Sequence, residues 1–310
     1  MGRFKVILVT AALLGVACNL ILFLKWRPRE YQMEELSCDL ESKPRIHHQA
    51  RQKPCPTTFV TEYFQIPSKH SQSEYMEWIS NLHATDICLL VFTDSPNLWH
   101  GQKHAVIETS ICAEGAALNR SLCFWRDQWH KDPEAIIHRG YNLYIAWNLK
   151  PYFLSEAVSI NHFSSQYFFW IDAGYARAPI DFKFSTRIPI MPQASRMVFF
   201  MVGQFSEVEL AKDWFHYSIN QDRLAGNLFG GRAEAVTTWV SLYYNVMQQF
   251  ISRDWFVGKD QNLMNTVCTR YPTACTLVDA QAVWGENPWL ITHECLTSRR
   301  TCLVHNLRTA

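Results

Sequence analysis

The sequence has no excess of charge of either sign, no internal repeat and no low-complexity tract. Its 29 Lys and Arg residues are balanced by 28 Asp and Glu, which argues against a protein that binds nucleic acid through bulk electrostatics. No Cys-x-x-Cys pair is present, so a structural zinc site is not expected. With 310 residues, 48% hydrophobic and 18% charged, the composition is typical of a globular protein with one large or two small domains.

One long hydrophobic run occurs, at residues 6–24, and basic residues flank it on both sides. Its 19 residues are enough to cross a bilayer as a helix, with a cleaved signal peptide or a lipoprotein signal at Cys18 as the alternatives. We predict a cytosolic tail at 1–5, a signal-anchor at 6–24, a stem at 25–56 and a lumenal catalytic domain at 57–310. We therefore expect a single-pass type II protein of the Golgi or endoplasmic reticulum, held in the membrane by its N-terminal helix.

Ten cysteines, nine of them outside the hydrophobic run, are typical of an oxidising compartment. Disulfides are predicted for Cys268–Cys275 and Cys295–Cys302, each pair seven residues apart, with reduced buried cysteines as the alternative. Cys38 and Cys55 are expected to bridge within the stem or to the domain, and the odd count implies a free thiol or an intermolecular bridge. Asn119 begins Asn-Arg-Ser, a glycosylation acceptor that fits a lumenal domain.

The chain is organised around residues 167–174, where aromatic and apolar residues lead into Asp172 and Gly174. A continuous apolar run bounded by turn residues predicts a strand that is buried on both faces. Asp172 then lies where the strand leaves the sheet, which is where α/β sheets bind ligands, and Gly174 permits a sharp turn or a close approach to a ligand. The alternative is that Asp172 only caps the following turn.

The remaining patterns predict an α/β domain. A strand at 57–64, a helix at 73–83 and a strand at 86–93 form a βαβ unit, and hence a parallel pair of strands. Pro151 is expected to kink or divide a helix at 142–159. The other predicted elements are helices near 103–118 and at 233–252 and 258–271, strands at 122–125, 197–202 and 276–278, and a glycine-containing turn at 227–232.

Several of these segments occur together in an order that is typical of one family. They are Thr-Phe-Val-Thr-x-Tyr-Phe-x-Ile from Thr58, the helix with Lys150, Asn-x-Phe from Asn161 before Trp-Ile-Asp-Ala-Gly at 170–174, Phe-Gly-Gly at 229–231, and Gly-Lys-Asp-Gln at 258–261. Over about residues 57–271 the chain resembles the HtrL/YibB-like family, which is grouped with glycosyltransferases. The family usually has Asn-Pro-Phe where this chain has His162 in the middle position.

The resemblance implies a GT-A-like, Rossmann-type fold with a mostly parallel sheet flanked by helices. It also implies transfer of a sugar from a nucleotide-sugar donor to a glycan or glycoconjugate acceptor. Enzymes with the GT-A fold commonly carry Asp-x-Asp at the end of such a strand, where the carboxylates face a metal and the donor. Here the second position is Gly174, so we expect either Mn²⁺ or Mg²⁺ held by Asp172 or a metal-independent site.

Sugar transfer needs cations for the donor diphosphate and a base for the acceptor hydroxyl. Lys150, Arg177 and Lys259 are the candidate phosphate partners, with a solvated surface charge as the alternative for each. Asp260 is the candidate catalytic base at a helix start, where the helix dipole favours a carboxylate; a helix charge with no further role is the alternative.

The donor nucleoside needs a pocket beside the first strands, so we assign Thr61 and Asp94 to the donor site together with Asp172 and Gly174. Gly230 and Gly231 are assigned to the acceptor side, because a position without a side chain admits a sugar closely; a simple turn explains them equally well.

Two other classes of function fit the same residues. A catalytically silent carbohydrate- or partner-binding domain on this fold is favoured by the missing carboxylate at Gly174 and opposed by the presence of both Asp172 and Asp260. A hydrolase that uses two carboxylates would release the donor sugar to water rather than to an acceptor.

Overall fold

The computed structural model describes residues 45–47, 54–101, 103–180, 182, 195–211, 218–297, 299–305 and 307. All of these residues lie in the compact unit Cys38–Ala310. The predicted tail, the predicted anchor at 6–24 and most of the predicted stem therefore lie outside the described residues. Within the described ranges, no helix has the length and apolar character needed to cross a membrane.

The described strands form one mixed sheet of nine strands. They are β1 (Arg45–His47), β2 (Thr57–Tyr63), β3 (Cys88–Thr93), β4 (His104–Glu108), β5 (Tyr167–Ile171), β6 (Met197–Met201), β7 (Leu224–Arg232), β8 (Cys275–Asp279) and β9 (Leu303–His305). Their order across the sheet is β1-β4-β3-β2-β5-β7-β6-β8-β9.

Six strands of this sheet run in the same direction. The neighbours β4, β3, β2 and β5 are parallel, and so are β6 and β8. Strand β7 lies antiparallel between β5 and β6, which gives β5 and β6 the same direction. The carboxyl ends of these six strands and the amino end of β7 therefore share one side of the sheet, here called the carboxyl edge. The predicted α/β class is confirmed, and the sheet is mixed rather than parallel throughout.

Helices lie on both faces of the sheet. Those described are α1 (Gln72–His83), α2 (Ile111–Gly115), α3 (Leu122–Lys131), α4 (Ala135–His138), α5 (Asn142–Ile160), α6 (Glu207–Leu210), α7 (Ala233–Ser252), α8 (Asp260–Arg270) and α9 (Thr292–Leu296). Ser71 starts α1 with a capping box, and the buried Ile79 and Leu82 of this helix join the core on one face. On the opposite face, Phe153 of α5 stacks on Phe92 and Trp239 of α7 lies against Phe199.

Two predicted elements between β3 and α4 were wrong. The segment predicted as a helix near 103–118 forms β4 and then the short α2, because Val106 and Ile107 pair in parallel with β3 and bury their β-branched side chains there. The segment predicted as a strand at 122–125 is the start of α3. Ser121 caps this helix by accepting a hydrogen bond from the backbone N–H of Phe124 at 3.2 Å.

The predicted turn at 227–232 was also wrong, since these residues lie inside β7. Gly230 pairs with Phe169, and a Cβ atom at residue 230 would lie 2.3 Å from the carbonyl oxygen of Phe168. The glycine thus lets two strands approach closely where sequence reasoning expected a reversal of the chain. Helix α5 is continuous through Pro151, so the expected division at this proline does not occur.

Disulfides connect the start of the domain and its end to the sheet. Cys268–Cys275 and Cys295–Cys302 are both present, with Cα atoms 5.5 and 5.8 Å apart. Cys55, which the sequence assigns to the stem, bridges to Cys88 at the start of β3. Together with β1, which pairs antiparallel with β4, this bridge shows that the sheet includes residues of the predicted stem. Cys123 is a free, exposed thiol.

Candidate functional site

Asp172 lies at the carboxyl edge, directly after β5. Its backbone N–H donates to the carbonyl of Asn227 on the neighbouring β7 at 2.9 Å, which extends the strand pairing by one residue. Its carbonyl then accepts from the N–H of Tyr175 at 2.9 Å and begins a tight turn. The side-chain Oδ1 accepts from the indole N–H of Trp170 at 2.6 Å, so the orientation of the carboxylate is fixed from within the strand. One third of the side chain, 33%, stays exposed to solvent.

Lys150 approaches Asp172 from helix α5 on the adjacent face of the sheet. The ammonium Nζ lies 3.0 Å from Asp172 Oδ1 and 3.0 Å from Asp260 Oδ2, and it donates to the carbonyl of Gly226 at 2.9 Å. Lys150 is buried, with 4% of its surface exposed. The ammonium therefore faces three oxygens of the protein, one as a hydrogen-bond acceptor and two as ion-pair partners.

Asp260 enters the same cluster as the first residue of α8. Its Oδ1 accepts from the backbone N–H of Gln261 at 2.9 Å, and its surface is 3% exposed. The absence of a side chain at Gly226 makes the approach possible, because a Cβ atom at residue 226 would lie 3.1 Å from Asp260 Oδ2. The helix start, the amino end of β7 and the end of β5 thus meet around one lysine.

A fourth charged group, Glu62, belongs to the same cluster. Val60 of β2 pairs with Trp170, so Glu62, two residues further on, lies on the same face of the sheet as Asp172. Its Oε2 is buried, with no hydrogen-bond partner among the described residues. Burial raises the pKa of the Glu62 carboxyl well above its usual value, the nearby Lys150 opposes this, and the charges of Asp172 and Asp260 add to it.

The pKa shifts in the cluster favour a charged Lys150 and disfavour the charged forms of Asp260 and Glu62. Burial alone would lower the pKa of Lys150, but the carboxylates of Asp172 and Asp260 more than offset it and raise the pKa. Burial raises the pKa of Asp260, and Lys150 offsets this only in part. Lys150 therefore stays charged, whereas Asp260 and Glu62 both hold protons more tightly than exposed carboxyl groups do.

Buried hydrogen bonds hold the segment of α5 that carries Lys150. The amide of Asn148 donates to the carbonyls of Tyr144 and Val257 at 2.8 and 3.0 Å, and its oxygen accepts from the Tyr243 hydroxyl at 2.9 Å. The backbone carbonyl of Asn148 accepts from the Tyr244 hydroxyl at 2.9 Å. Because three of these partners are buried and the fourth, Tyr244, is half-buried, the fold fixes the part of α5 from which Lys150 extends.

An aromatic and basic surface borders Asp172 on the other side. The guanidinium of Arg177 lies over the ring of Trp78 with Cζ 4.8 Å from the centroid, and its Nη2 is 3.4 Å from Nε2 of His70. The rings of His70 and Tyr75 meet Trp78 edge to face at 4.8 and 5.3 Å. Arg177 is exposed, so this group, here called the Trp78 surface, presents a cation beside aromatic rings.

The Trp78 surface explains why residue 174 is a glycine. A Cβ atom there would lie 3.1 Å from Cε3 of Trp78 and 3.3 Å from Cε1 of Tyr75. A side chain at this position would therefore need these two rings to shift by a few tenths of an ångström.

The described side chains do not fit a divalent metal ion. Asp172 Oδ1 and Asp260 Oδ2 both face the Lys150 ammonium, and burial raises the pKa of the Glu62 carboxyl, which disfavours its charged form. Mn²⁺ and Mg²⁺ need several oxygen ligands at about 2.0–2.2 Å, and the ammonium occupies the space in which two of these carboxylates would share an ion. In the part of the chain that the structure describes, no group of three or more His, Cys, Asp or Glu side chains is arranged to hold a metal.

The other predicted site residues are placed as follows. Lys259 forms an ion pair with Glu134 rather than facing Asp172. Thr61 is buried on β2, and by strand alternation its side chain is on the face opposite to Glu62. Asp94, at the end of β3, accepts from the backbone N–H of Gln65 at 3.1 and 3.3 Å.

The remaining predicted residues lie away from the cluster. Gly230 and Gly231 pair with Phe169 and Phe168 inside β7, about 10–13 Å of strand from the carboxyl edge. Asn119 is exposed, as a glycosylation acceptor requires.

Sequence reasoning missed Glu62, Gly226 and the three aromatic members of the Trp78 surface, and it named only Arg177 of that surface. Glu62 had a signal, since it is a lone carboxylate in a strand of β-branched and aromatic residues. Gly226 and Trp78 had none, because their roles depend on distances between segments far apart in the chain.

One family comparison gives a match. The family model described as "Bacterial protein of unknown function (HtrL_YibB)" matches residues 119–289, which is more than half of the chain. The matched segment begins later and ends later than the expected 57–271. It contains Lys150, Asp172 and Asp260, and it excludes Glu62 and Trp78. No curated protein matches the chain.

Proposed function

The chain belongs to the HtrL_YibB family, and we propose that this member is a glycosyltransferase that moves a sugar from a nucleotide-sugar donor to a glycan or glycoconjugate acceptor. The observation that carries the proposal is the meeting of Asp172, Asp260 and Lys150 at the carboxyl edge. Ligands of α/β sheets bind at this edge. The run of parallel strands from β4 to β5 supports a GT-A-like description of the fold.

We assign the donor diphosphate to the Trp78 surface. Arg177 is exposed and offers a planar set of N–H donors, which suits phosphate oxygens, and His70 lies beside it. Tyr75 is half-buried beside Arg177 and offers a ring to a nucleoside or a sugar, whereas Trp78 is buried and supports the guanidinium. Lys150 is buried against three oxygens of the protein, so we assign it the role of orienting Asp172 rather than of binding a phosphate.

We assign the contact with the acceptor hydroxyl to Asp172 rather than to the predicted base Asp260. Asp172 is the exposed member of the pair, at 33% of its side chain against 4% for Asp260. A general base must lie within hydrogen-bond reach of the proton that it removes. Asp260 positions Lys150, and through it Asp172.

The anchored, lumenal type II topology in the Golgi or endoplasmic reticulum is part of the same proposal, and protease treatment of intact vesicles tests it.

The test is a screen of the full-length protein against nucleotide sugars. Thermal shift identifies the donor, and release of the nucleoside diphosphate with and without glycan acceptors then measures turnover. Asp172→Asn is expected to lower kcat by at least about 100-fold with little change in donor affinity, because a base acts in the chemical step. Arg177→Ala is expected to weaken donor binding about 10-fold or more.

Lys259→Ala is the matched control, because this lysine pairs with Glu134 at the surface and does not touch the cluster. No thermal response to any nucleotide, or normal turnover by Asp172→Asn, would rule out the proposed enzyme. If the sugar is released to water equally with and without acceptors, the protein would be a hydrolase instead.

A catalytically silent carbohydrate-binding domain is the second candidate. It is favoured by the saturation of the acid pair, since Lys150 neutralises Asp172 and Asp260 and burial closes Asp260 to substrate. Such a domain would bind glycans with the same affinity with or without nucleotide, and Asp172→Asn would leave that affinity unchanged.

A further inference from the structure

The space between the two aspartates of the site already holds a cation. Lys150 Nζ lies 3.0 Å from one carboxylate oxygen of each aspartate and 2.9 Å from the Gly226 carbonyl. These are hydrogen-bond distances to an ammonium and about 0.8–1.0 Å longer than the bonds of Mg²⁺ to oxygen. The three oxygens belong to three separate elements, β5, β7 and α8, which converge on this point.

We infer that the site works without a divalent metal, with Lys150 as its permanent internal cation. The inference rests on the proposed function only where it names this place the donor site, because the position of Lys150 does not depend on the substrate. The lysine is tethered to α5 at a residue fixed by the Asn148 hydrogen bonds, so a chelator cannot remove it.

Two further features of the described residues make this place unsuited to a metal. Residue 174, two positions after Asp172, is a glycine that packs against Trp78 and Tyr75 and supplies no carboxylate. Asp172 Oδ1 already accepts from the Trp170 indole as well as from Lys150. A metal ion at this place would therefore have to displace a buried ammonium that two carboxylates hold.

The inference has a consequence for the charge that faces the donor. A divalent ion would add two positive charges beside the diphosphate, whereas Lys150 adds one and directs it at the protein's own carboxylates. The exposed cation at the site is then Arg177 on the Trp78 surface. Negative charge on the leaving diphosphate is balanced by a guanidinium in place of a metal.

Titration of the full-length protein with Mn²⁺ tests the inference without measuring activity. Bound Mn²⁺ is detected as a loss of the EPR signal of the free ion. Wild-type protein is expected to leave the signal unchanged. Lys150→Ala removes the ammonium and leaves three oxygens around its place, so it is expected to bind about one Mn²⁺ per chain. Its unfolding midpoint should rise by roughly 5 °C at a hundredfold excess of Mn²⁺ over the dissociation constant.

Lys259→Ala is the control, since it removes a lysine from a pair with Glu134 outside the cluster. It is expected to behave like wild type in both measurements. Mn²⁺ binding by wild type and Lys259→Ala as strong as that by Lys150→Ala would overturn the inference.

Wild-type protein decides the question even if Lys150→Ala does not fold. Stoichiometric Mn²⁺ binding by wild type that Asp172→Asn abolishes would overturn the inference, because the ion would then have displaced the lysine. If neither wild type nor Asp172→Asn changes the EPR signal, the inference is supported. Neither result depends on turnover, so failure of the proposed glycosyltransferase activity would be seen separately in the donor screen.

Discussion

Replacing Lys150 by methionine is expected to destabilise the protein far more than replacing either of its carboxylate partners. Lys150 is the cation that stabilises Asp172, Asp260 and Glu62. Breaking a buried ion pair by removing one partner costs roughly 3–5 kcal/mol, because the other charge is left buried without compensation. Lys150→Met leaves more than one such carboxylate, so we expect a loss in free energy of unfolding at the upper end of this range, about 5 kcal/mol.

The same reasoning gives a small cost for Asp260→Asn. Burial already raises the pKa of Asp260, so a neutral side chain of the same shape is tolerated there, and Lys150 keeps Asp172 and the Gly226 carbonyl as partners. We expect a loss of about 1 kcal/mol, the typical net contribution of one hydrogen bond. The double variant Lys150→Met/Asp260→Asn should regain part of the stability that Lys150→Met loses.

Urea unfolding of the full-length variants at pH 7 measures these differences by linear extrapolation. Lys259→Met serves as the matched control and is expected to cost less than about 1 kcal/mol, because its partner Glu134 is 49% exposed. If Lys150→Met cost no more than Lys259→Met, the cluster would contribute no cation–carboxylate stabilisation and the reasoning would be refuted. Equal losses for Lys150→Met and Asp260→Asn would refute the asymmetry.

Three further predictions concern single residues. Burial raises the pKa of Glu62 in the folded state, so its contribution to stability is present below about pH 4.5 and is lost as pH rises. In urea titrations from pH 5 to pH 9, Glu62→Gln should therefore gain stability relative to wild type. A difference that stays constant with pH would contradict this. Burial, with a smaller effect of neighbouring imidazoles, lowers the pKa of His83 and of His104 to about 4, so their contribution is complete above about pH 6.5 and is lost as pH falls towards 4. The urea midpoint of wild type should fall in that window more steeply than that of His104→Asn, and parallel curves would exclude the effect. Gly230→Ala should fail to fold or lose more than about 3 kcal/mol, since its Cβ would meet the Phe168 carbonyl at 2.3 Å; a folded variant with a changed acceptor affinity would instead support the acceptor role.

The sequence was sufficient where a pattern is local. The buried strand before Asp172, the helix that Asp260 starts and the βαβ unit from β2 to β3 follow from apolar periodicity and from residues that end strands and helices. The two disulfides with seven-residue spacing were predicted for the same reason, because each pair flanks a short local reversal of the chain.

The sequence was insufficient where segments distant in the chain decide the outcome. The glycines of β7 indicate a turn until their pairing with Phe168 and Phe169 shows that they admit a neighbouring strand. Lys150 could be assigned to a phosphate as readily as to the surface, since nothing near it in sequence reveals Asp172 and Asp260. His104 to Glu108 has residues that suit a helix as well as a strand, and only the parallel pairing with β3 decides between them.

The family match covers one part of the site and not the other. Lys150, Asp172, Gly226 and Asp260 all lie within residues 119–289, so the lysine-centred cluster is built by the segment that carries family membership. Glu62 and the Trp78 surface come mainly from the βαβ unit before that segment, although Arg177 lies within it. The proposed donor site at the Trp78 surface thus draws on both parts, whereas the proposed internal cation and its three oxygen partners lie in the matched one. A metal-binding test on Lys150 variants therefore bears on the part of the site that defines the family. A donor screen on Arg177 and Trp78 variants bears on the proposed donor site, which combines a residue inside the match with one before it.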